Sequence, residues 1–248
     1  MKADDANDAA LSREGLGRNL TYGLLENLGR SIVKGTYREQ PFPTEGNLAI
    51  QFGVSRSVTR EAVKMLAAKG LLGARSKQGT FVLPETAWNL FDTDVLQWLL
   101  EGQASVLLLQ RFNELRLGVE PQAAALAATR GTPEQLEAIA YGLARMEAAE
   151  TGADDTLSAD IAFHVAILHA SQNPFFVQFR QVVMTALRTS IRFTNQLADR
   201  NPNIAEHARI YDAIRARDPA AARRNMTFMI ENVLKLIEPL VARENAQP

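Results

Sequence analysis

The stretch TEGNLAIQFGVSRSVTREAVKMLAAK, residues 44–69, decides the fold of the N-terminal part of the chain. It contains two segments with helical character, 44–52 and 55–69, and only Gly53 and Val54 separate them. Two residues that include a glycine leave room for a tight turn and for nothing longer. The stretch therefore predicts two helices joined by a tight turn.

The residues on either side predict what packs against this helix pair. On the N-terminal side, residues 19–36 carry apolar residues at helical spacing. On the C-terminal side, two strand-like runs, 71–75 and 80–83, flank a polar tip at 76–79, which predicts a β-hairpin. Three helices and a small hairpin in this order predict a winged helix-turn-helix domain over residues 18–84.

The rest of the chain has a different character. From residue 92 to residue 243 the apolar residues keep a period near 3.6, which predicts helices and no sheet. Thr132, Asn173 and Asp218 each stand directly before a proline, the arrangement of a helix N-cap followed by proline at the first helical position. We therefore predict a mainly α protein. Its expected parts are a flexible tail at 1–17, the winged domain at 18–84, a linker and first helix at 85–102, and an all-helical bundle of six to seven helices at 103–245.

The composition excludes several classes of protein. The 248 residues carry 27 lysines and arginines against 28 aspartates and glutamates, so the chain is not generally polycationic. No cysteine is present, which excludes disulfides, thiolate nucleophiles and thiolate metal sites. No apolar run approaches the roughly 18–20 residues that span a membrane, and the polar, acidic start is unlike a signal peptide. We expect a soluble cytoplasmic protein with no membrane partner.

Positive charge is concentrated in residues 55–84, which hold six lysines and arginines against one glutamate. In a helix over 55–69, Arg56, Arg60 and Lys64 run along the face opposite the apolar side chains. Arginine can pair with the edge of guanine in the major groove, and lysine can neutralise phosphate. An ordinary solvated basic face is the alternative. The candidate DNA-contacting residues are Ser55, Arg56, Ser57, Thr59, Arg60, Lys64, Lys77, Gln78 and Gly79.

Three polar residues are predicted on inward helix faces of the C-terminal part. Asp160 and His164 lie four residues apart and share a face with apolar neighbours, and His207 also shares its face with apolar residues. A carboxylate and two imidazoles in a core are costly unless they satisfy one another or hold something. This donor set suits a divalent ion such as Zn²⁺, Ni²⁺ or Mn²⁺. The alternative is two unrelated core histidines with hydrogen-bond partners.

Arg116 is the other inward polar residue, and Glu120 lies four residues after it. An ion pair between these two residues explains both of them without any ligand.

Several short motifs resemble the N-terminal domain of GntR-superfamily transcription regulators. They are PTE at 43–45, FGVSR at 52–56, REA at 60–62 and GTFV at 79–82. The resemblance covers about 65 residues in the same order and spacing. It implies that Arg56 and Arg60 read bases, that Ser55 and Ser57 contact the DNA backbone, and that Gly79 enters the minor groove.

At Gly46 the chain departs from that pattern, because many members carry arginine there. The resemblance therefore implies one DNA contact fewer and a different operator sequence. It also implies a homodimer, which would set two recognition helices on a palindromic operator in double-stranded DNA.

The C-terminal part resembles the effector-binding domain of the FadR-type subgroup, the FCD domain. That resemblance implies that Asp160, His164 and His207 bind a metal, and it puts Met229 where a further histidine is usual. A thioether is a poor ligand for such ions, so the site either has three ligands with open positions or is weakened. Plain core packing explains Met229 equally well.

The same resemblance suggests how an effector is bound. It implies that Arg116 meets the carboxylate of an organic-acid effector, a role that suits the bidentate guanidinium. Glu120 and Arg188 are the further candidates for the effector site.

The linker WNLFDTDVLQW, residues 88–98, is similar to that of regulators of sugar-acid catabolism. The expected function is thus a ligand-responsive repressor of a sugar-acid operon, with an aldonate or hexonate such as galactonate as effector, and no enzymatic activity. The alternatives are a metal-dependent, enzyme-like helical domain fused to a DNA-binding module, a regulator of another organic-acid pathway, and a scaffold whose basic face binds acidic partners.

Overall fold

The structure, a computed structural model, describes residues 4–75, 79–101, 106–198 and 203–245. The chain divides into two compact units, Met1–Gly102 and Gln103–Pro248. The described residues form ten α-helices and one two-stranded antiparallel hairpin. This confirms the expected mainly α fold. None of the described helices combines the length and the hydropathy that a membrane span requires.

The N-terminal unit contains four helices and the hairpin. They are α1 (Asp4–Val33), α2 (Glu45–Phe52), α3 (Arg56–Ala68), β1 (Leu72–Arg75), β2 (Gly79–Val82), a 3-10 turn (Glu85–Ala87) and α4 (Thr93–Glu101).

Local sequence explains the tight turn between α2 and α3. The Thr44 side chain caps α2 by accepting a hydrogen bond from the backbone N–H of Asn47. Gly53 ends the helix with φ +64°, a left-handed conformation that glycine adopts without steric cost. Two residues later the Ser55 side chain accepts from the N–H of Val58 and starts α3. The predicted helix-turn-helix is confirmed.

A single apolar core holds this unit together. Its buried side chains come from α1, α2, α3, α4, the strand β1 and the connecting segments, and they include Leu24, Leu25, Leu28, Ile32, Phe42, Leu48, Ala62, Leu66, Leu71, Leu72, Trp88, Val95 and Trp98. The ring of Trp98 lies directly against Gly29 of α1, so that any Cβ at Gly29 would overlap the ring. Arg30 on α1 also forms an ion pair with Glu101 on α4. Helix α4 is therefore packed as part of the N-terminal unit.

The flexible tail expected at 1–17 differs from the structure, because α1 begins at Asp4. The segment 4–14 contains three alanines and three aspartates and no glycine or proline. Extending an existing helix adds one hydrogen bond per residue without a new nucleation cost. The prediction missed this because the segment lacks apolar residues at regular spacing.

The C-terminal unit contains six helices among its described residues, within the expected six to seven. They are α5 (Val106–Arg130), α6 (Pro133–Glu150), α7 (Thr156–Ala170), α8 (Pro174–Ala198), α9 (Ile204–Arg215) and α10 (Pro219–Asn245). Their shared core is lined by alanines of α5 and by larger side chains of the other helices, such as Leu143, Phe163, Leu187, Ile210 and Met226. The small residues of α5 allow the neighbouring helices to pack close to its backbone.

The predicted N-caps are confirmed. Thr132 and Gln135 form a reciprocal capping box at the start of α6. The Asn173 side chain accepts from the N–H of Phe175, and the Asp218 side chain accepts from the N–H of Ala221. These polar side chains satisfy backbone groups that a helix end leaves unpaired, which fixes where α6, α8 and α10 begin.

Candidate nucleic-acid interface and candidate metal centre

The basic residues of α3 lie on its solvent face. Arg56, Arg60 and Lys64 are exposed, whereas Ala62 and Leu66 on the opposite face are fully buried in the core of the N-terminal unit. The helix is thus held by its apolar side and presents its cations outward. That geometry suits insertion into the major groove.

The start of α3 presents two serine hydroxyls to solvent. The Ser55 and Ser57 hydroxyls lie 2.8 Å apart, and Ser55 is also engaged as the N-cap. Unpaired N–H groups and the positive end of the helix dipole at this point favour a phosphate. Both serines therefore stay candidates for contacts with the DNA backbone.

Thr59 does not belong to the DNA-facing surface, which corrects the expectation from sequence. Its side chain is fully buried, and its hydroxyl donates a hydrogen bond to the backbone carbonyl of Ser55. Thr59 directly precedes Arg60, but one residue of an α-helix turns the side chain by about 100° away from the exposed face. Its Cβ instead points toward the core, and a hydroxyl bonded to the preceding turn is tolerated there.

The hairpin supplies the second part of the candidate interface. Gly79 pairs with Arg75 at the end of the strands next to the connecting residues 76–78, and it is exposed with φ +77°. The guanidinium of Arg75 lies 4.8 Å from the ring centre of Phe81. Arg75 is exposed and was not among the residues predicted to contact DNA. Lys77 and Gln78, also predicted to contact DNA, lie outside the described residues.

Two helices of the C-terminal unit bring Asp160, His164 and His207 together. His207 Nε2 lies 3.0 Å from Asp160 Oδ1, and His164 Nε2 lies 3.4 Å from the same oxygen. All three side chains are buried, and their candidate ligand atoms lie within 4.8 Å of one another. The predicted trio is therefore one cluster, formed by α7 and α9.

Helix α5 extends this cluster with a buried ion pair. Arg116 Nε donates to Glu120 Oε1 at 2.6 Å, and Arg116 Nη1 donates to Asn113 Oδ1 at 3.1 Å. Glu120 Oε2 in turn lies 2.6 Å from His164 Nδ1. The sequence identified the Arg116–Glu120 pair, but it missed Asn113 and the link from Glu120 to His164. For Asn113, its position on the inward face of the predicted helix is the signal that the sequence offers.

The charges in this cluster depend on one another. Burial raises the pKa of the Glu120 carboxyl, but the positive charges of Arg116 and His164 outweigh it and lower that pKa to about 2. For Asp160, burial is likewise outweighed by hydrogen bonds from His164 and His207, so its pKa lies well below the usual range. Burial lowers the pKa of His164, but the Glu120 charge raises it to about 9. Both carboxyls are therefore ionised at neutral pH.

The donor set fits a divalent cation. The Asn203 carbonyl lies 2.9 Å from His207 Nδ1 and can only accept, so Nδ1 donates and Nε2 is the ring nitrogen left for a ligand. This Nε2 lies 3.0 Å from Asp160 Oδ1. His164 Nε2 faces the same oxygen, so two ring nitrogens and one carboxylate oxygen converge on one point. Two imidazoles and one carboxylate are ligands that Zn²⁺, Ni²⁺ and Mn²⁺ accept.

Arg188 and Met229, which the sequence analysis considered for the effector and metal sites, lie outside the polar cluster. Arg188 is exposed on α8, which corrects its assignment to the effector site. Arg188 directly follows the buried Leu187, and one residue of an α-helix turns the side chain by about 100°, away from the side that Val183 and Leu187 bury. Met229 lies in the hydrophobic core of α10, the packing role that was one of its two interpretations.

Family comparisons agree with both halves of the chain. Residues 22–82 match the gntR family of bacterial regulatory proteins, and residues 112–232 match the FCD domain. The galactonate operon transcriptional repressor of Escherichia coli K12 is 33% identical over 90% of this chain and 98% of its own length. The HTH-type transcriptional regulator YieP of the same organism, described as uncharacterized, is 36% identical over 83% of this chain and 90% of its own length.

A solved structure supports the fold. It is that of Lar, described as controlling the agr system of Listeria monocytogenes, which is 20% identical and covers 89% of this chain and 97% of its own chain with a TM-score of 0.56. At that identity the likeness shows the fold alone.

A helix-turn-helix with an exposed basic face, followed by a helical unit with a buried polar site, defines a ligand-responsive transcription regulator. The chain belongs to the gntR family of bacterial regulatory proteins and carries an FCD domain. Several of its relatives are transcription regulators named for the operon that they control.

Proposed function

We propose that this protein represses an operon for sugar-acid catabolism and that a sugar acid bound in its FCD domain lowers its affinity for the operator. The observation that carries the proposal is 33% identity to a galactonate operon repressor along 90% of the chain. The exposed basic face of α3 and the buried polar cluster between α5, α7 and α9 supply the two sites that such a regulator needs.

DNA reading is assigned to α3 and the hairpin. Arg56 and Arg60 reach base edges, Lys64 neutralises phosphate, and the serines at the start of α3 bind the sugar–phosphate backbone. The protein acts as a homodimer, because two copies of α3 related by a twofold axis match a palindromic operator in double-stranded DNA.

A divalent ion, Zn²⁺, Ni²⁺ or Mn²⁺, is assigned to Asp160, His164 and His207. When bound, the ion supplies a localised positive charge with open coordination positions, to which an anionic ligand is attracted. Asp160 supplies the negative charge that holds the ion, and the two histidines direct Nε2 toward the same point.

The effector carboxylate is assigned to the side of the cluster where Arg116 and Glu120 lie. Arg116 is already paired with Glu120, and among the described residues no buried side-chain nitrogen or oxygen lacks a partner. An incoming carboxylate must therefore compete with Glu120 for the guanidinium. That competition changes the contacts of α5, which is the physical route from effector to the rest of the unit.

Operator selection followed by effector titration tests this proposal. The purified full chain is used to select DNA from a random duplex library, and the selected site is then titrated with hexonates. We expect a palindromic site, and one hexonate should weaken binding by about 5- to 150-fold, the usual range of coupling between two sites. Selection of no palindrome would contradict the dimeric DNA reader. A palindrome that no hexonate affects would contradict the sugar-acid effector.

A further inference from the structure

Glu120 makes more contacts than an ion pair with Arg116 alone would require. Only 1% of its surface is exposed, and its two oxygens serve different partners. Oε1 accepts from Arg116 Nε at 2.6 Å, while Oε2 lies 2.6 Å from Nδ1 of His164, on a different helix. The carboxylate therefore joins α5 to α7 through the ring of a candidate metal ligand.

The contact with Glu120 engages one nitrogen of the His164 ring, Nδ1. An ionised carboxylate can only accept, so Nδ1 is the donor in this contact. The Nε2 atom lies 3.4 Å from Asp160 Oδ1 and faces the other candidate ligands, so Nε2 is the nitrogen that is available to a metal ion.

The ring of His207 is also oriented by a hydrogen bond at Nδ1, but its partner belongs to the main chain. Its Nδ1 lies 2.9 Å from the backbone carbonyl of Asn203, so its Nε2 also faces Asp160. The two rings thus approach the same carboxylate oxygen through equivalent nitrogens. One ring is oriented by main chain, which a substitution cannot remove, and the other by the side chain of Glu120.

We propose that Glu120 is a positioning residue for the metal centre: clamped by Arg116, it holds the Nδ1–H of His164 and directs Nε2 to the ion. The inference rests on the metal site proposed above. A hydrogen-bonded carboxylate behind a histidine ligand fixes its ring orientation, and loss of such a partner costs about 10- to 100-fold in metal affinity. Glu120 therefore acts on the ion through His164 and does not bind it.

The test compares Zn²⁺ dissociation constants of full-length variants by competition with a chromophoric chelator. Glu120→Ala should bind Zn²⁺ about 10- to 100-fold more weakly than the unmodified chain, while Glu114→Ala should stay within about twofold. Glu114 is the matched control, because it lies on the same helix with an exposed side chain. Equal affinity of Glu120→Ala and the unmodified chain would overturn the inference and leave the metal site standing.

A second measurement needs no variant and so does not depend on whether Glu120→Ala folds. In the Zn²⁺-loaded protein, nitrogen-15 NMR of the histidine rings should show the His164 proton on Nδ1 and the ion on Nε2. Coordination through Nδ1 would overturn the inference. If the unmodified chain binds no Zn²⁺ at all, the proposed metal site fails, and the role of Glu120 fails with it.

Discussion

Single residues of this protein carry charge in two contrasting settings. On α3 the cations are exposed and paired weakly, as in the Lys64–Glu61 contact at 3.9 Å. In the C-terminal unit Arg116 and Glu120 are almost fully buried and hydrogen-bonded to each other. Exposed pairs contribute little to stability, whereas removal of one member of a buried pair leaves a charge without compensation. Substitution of an exposed cation on α3 should therefore change stability little, whereas substitution of Arg116 or Glu120 should lower it.

Arg60→Ala should weaken operator binding without changing stability. Loss of a bidentate contact to a base costs about 1–3 kcal/mol and relaxes sequence preference at that position. Fluorescence anisotropy with labelled operator measures the effect. Arg38→Ala is the control, because it removes the same charge from an exposed side chain of the same unit. A loss of effector binding in Arg60→Ala, with operator binding intact, would contradict the assignment of the two units.

Arg116→Met should destabilise the protein by about 3–5 kcal/mol, because Glu120 would then remain buried without its main counter-charge. The exposed Arg111 on the same helix provides the control Arg111→Met, which should change the free energy of unfolding by less than about 0.5 kcal/mol. Urea unfolding at pH 7 measures both variants. If Arg116→Met were as mild as Arg111→Met, the buried ion pair would not be formed in solution.

At the scale of helices and strands, close packing of α6 against α7 positions the metal ligands of α7. A Cβ at Gly142 would lie 2.9 Å from Cα and 3.0 Å from the backbone N of Phe163, the residue before His164. Backbone atoms of a packed helix cannot yield as a flexible side chain does. The two helices would have to separate.

Gly142→Ala should therefore destabilise the protein by about 1–3 kcal/mol, the usual cost of overpacking. Gly118 is the matched control, because it is also inside a helix but a Cβ there would meet nothing within 4 Å. Gly118→Ala should stabilise by up to about 1 kcal/mol, since alanine is the better helix former. Thermal and urea unfolding distinguish the two. A stabilising Gly142→Ala would show that α6 and α7 are not in close contact.

The end of α3 is tied to the start of α4 by Lys69. Its ammonium donates to Asp92 at 2.8 Å and to Asp94 at 2.7 Å, while Asp92 also accepts from the N–H of Val95 at the start of α4. Burial lowers the pKa of Lys69, but the hydrogen bonds and charges of the two aspartates outweigh it and raise that pKa above its ordinary 10.5.

The Lys69 contribution should be lost at alkaline pH. A raised folded-state pKa means that the stabilisation is complete below the unfolded pKa of 10.5 and disappears as pH rises through the higher folded value. Lys69→Arg keeps its charge there, so the stability difference between Lys69→Arg and the unmodified chain should grow above pH 10.5, by about 1 kcal/mol or less. Urea unfolding at pH 8 and pH 11 measures this. A constant difference would mean that the ion pairs do not form.

At the scale of the whole molecule, the proposed function requires that metal and effector affect each other's affinity. By thermodynamic linkage, an effector that binds better in the presence of the ion strengthens ion binding by the same factor. Arg116 is the shared element, because it contacts both the Glu120 carboxylate and the ring of His164.

Thermal unfolding with a panel of sugar acids, with and without a chelator, measures this coupling. A hexonate at 100 times its dissociation constant should stabilise the protein by about 2.7 kcal/mol, and the chelator should reduce that shift. His207→Ala is the control, since it should show the reduced shift without chelator while still binding operator. A shift that survives both the chelator and His207→Ala would mean that the acid is held without the ion.

Some features of the protein followed from the sequence by local rules. The tight turn at Gly53 and the N-caps at Thr132, Asn173 and Asp218 depend only on neighbouring backbone, so residue type and spacing predicted them. The inward faces of α7 and α9 followed from helical period. The helical start of α1, which lacks such a period, was missed.

The sequence by itself determined the helix-turn-helix, the helical second unit and the identity of the candidate ligands, because these depend on periodicity and caps within one segment. Only the tertiary structure decided that Thr59 is buried, that Arg188 is exposed and that Glu120 meets His164. Those outcomes depend on how helices rotate and cross when their apolar faces pack together. A contact between residues 44 positions apart is set by that packing, and no spacing in the sequence encodes it.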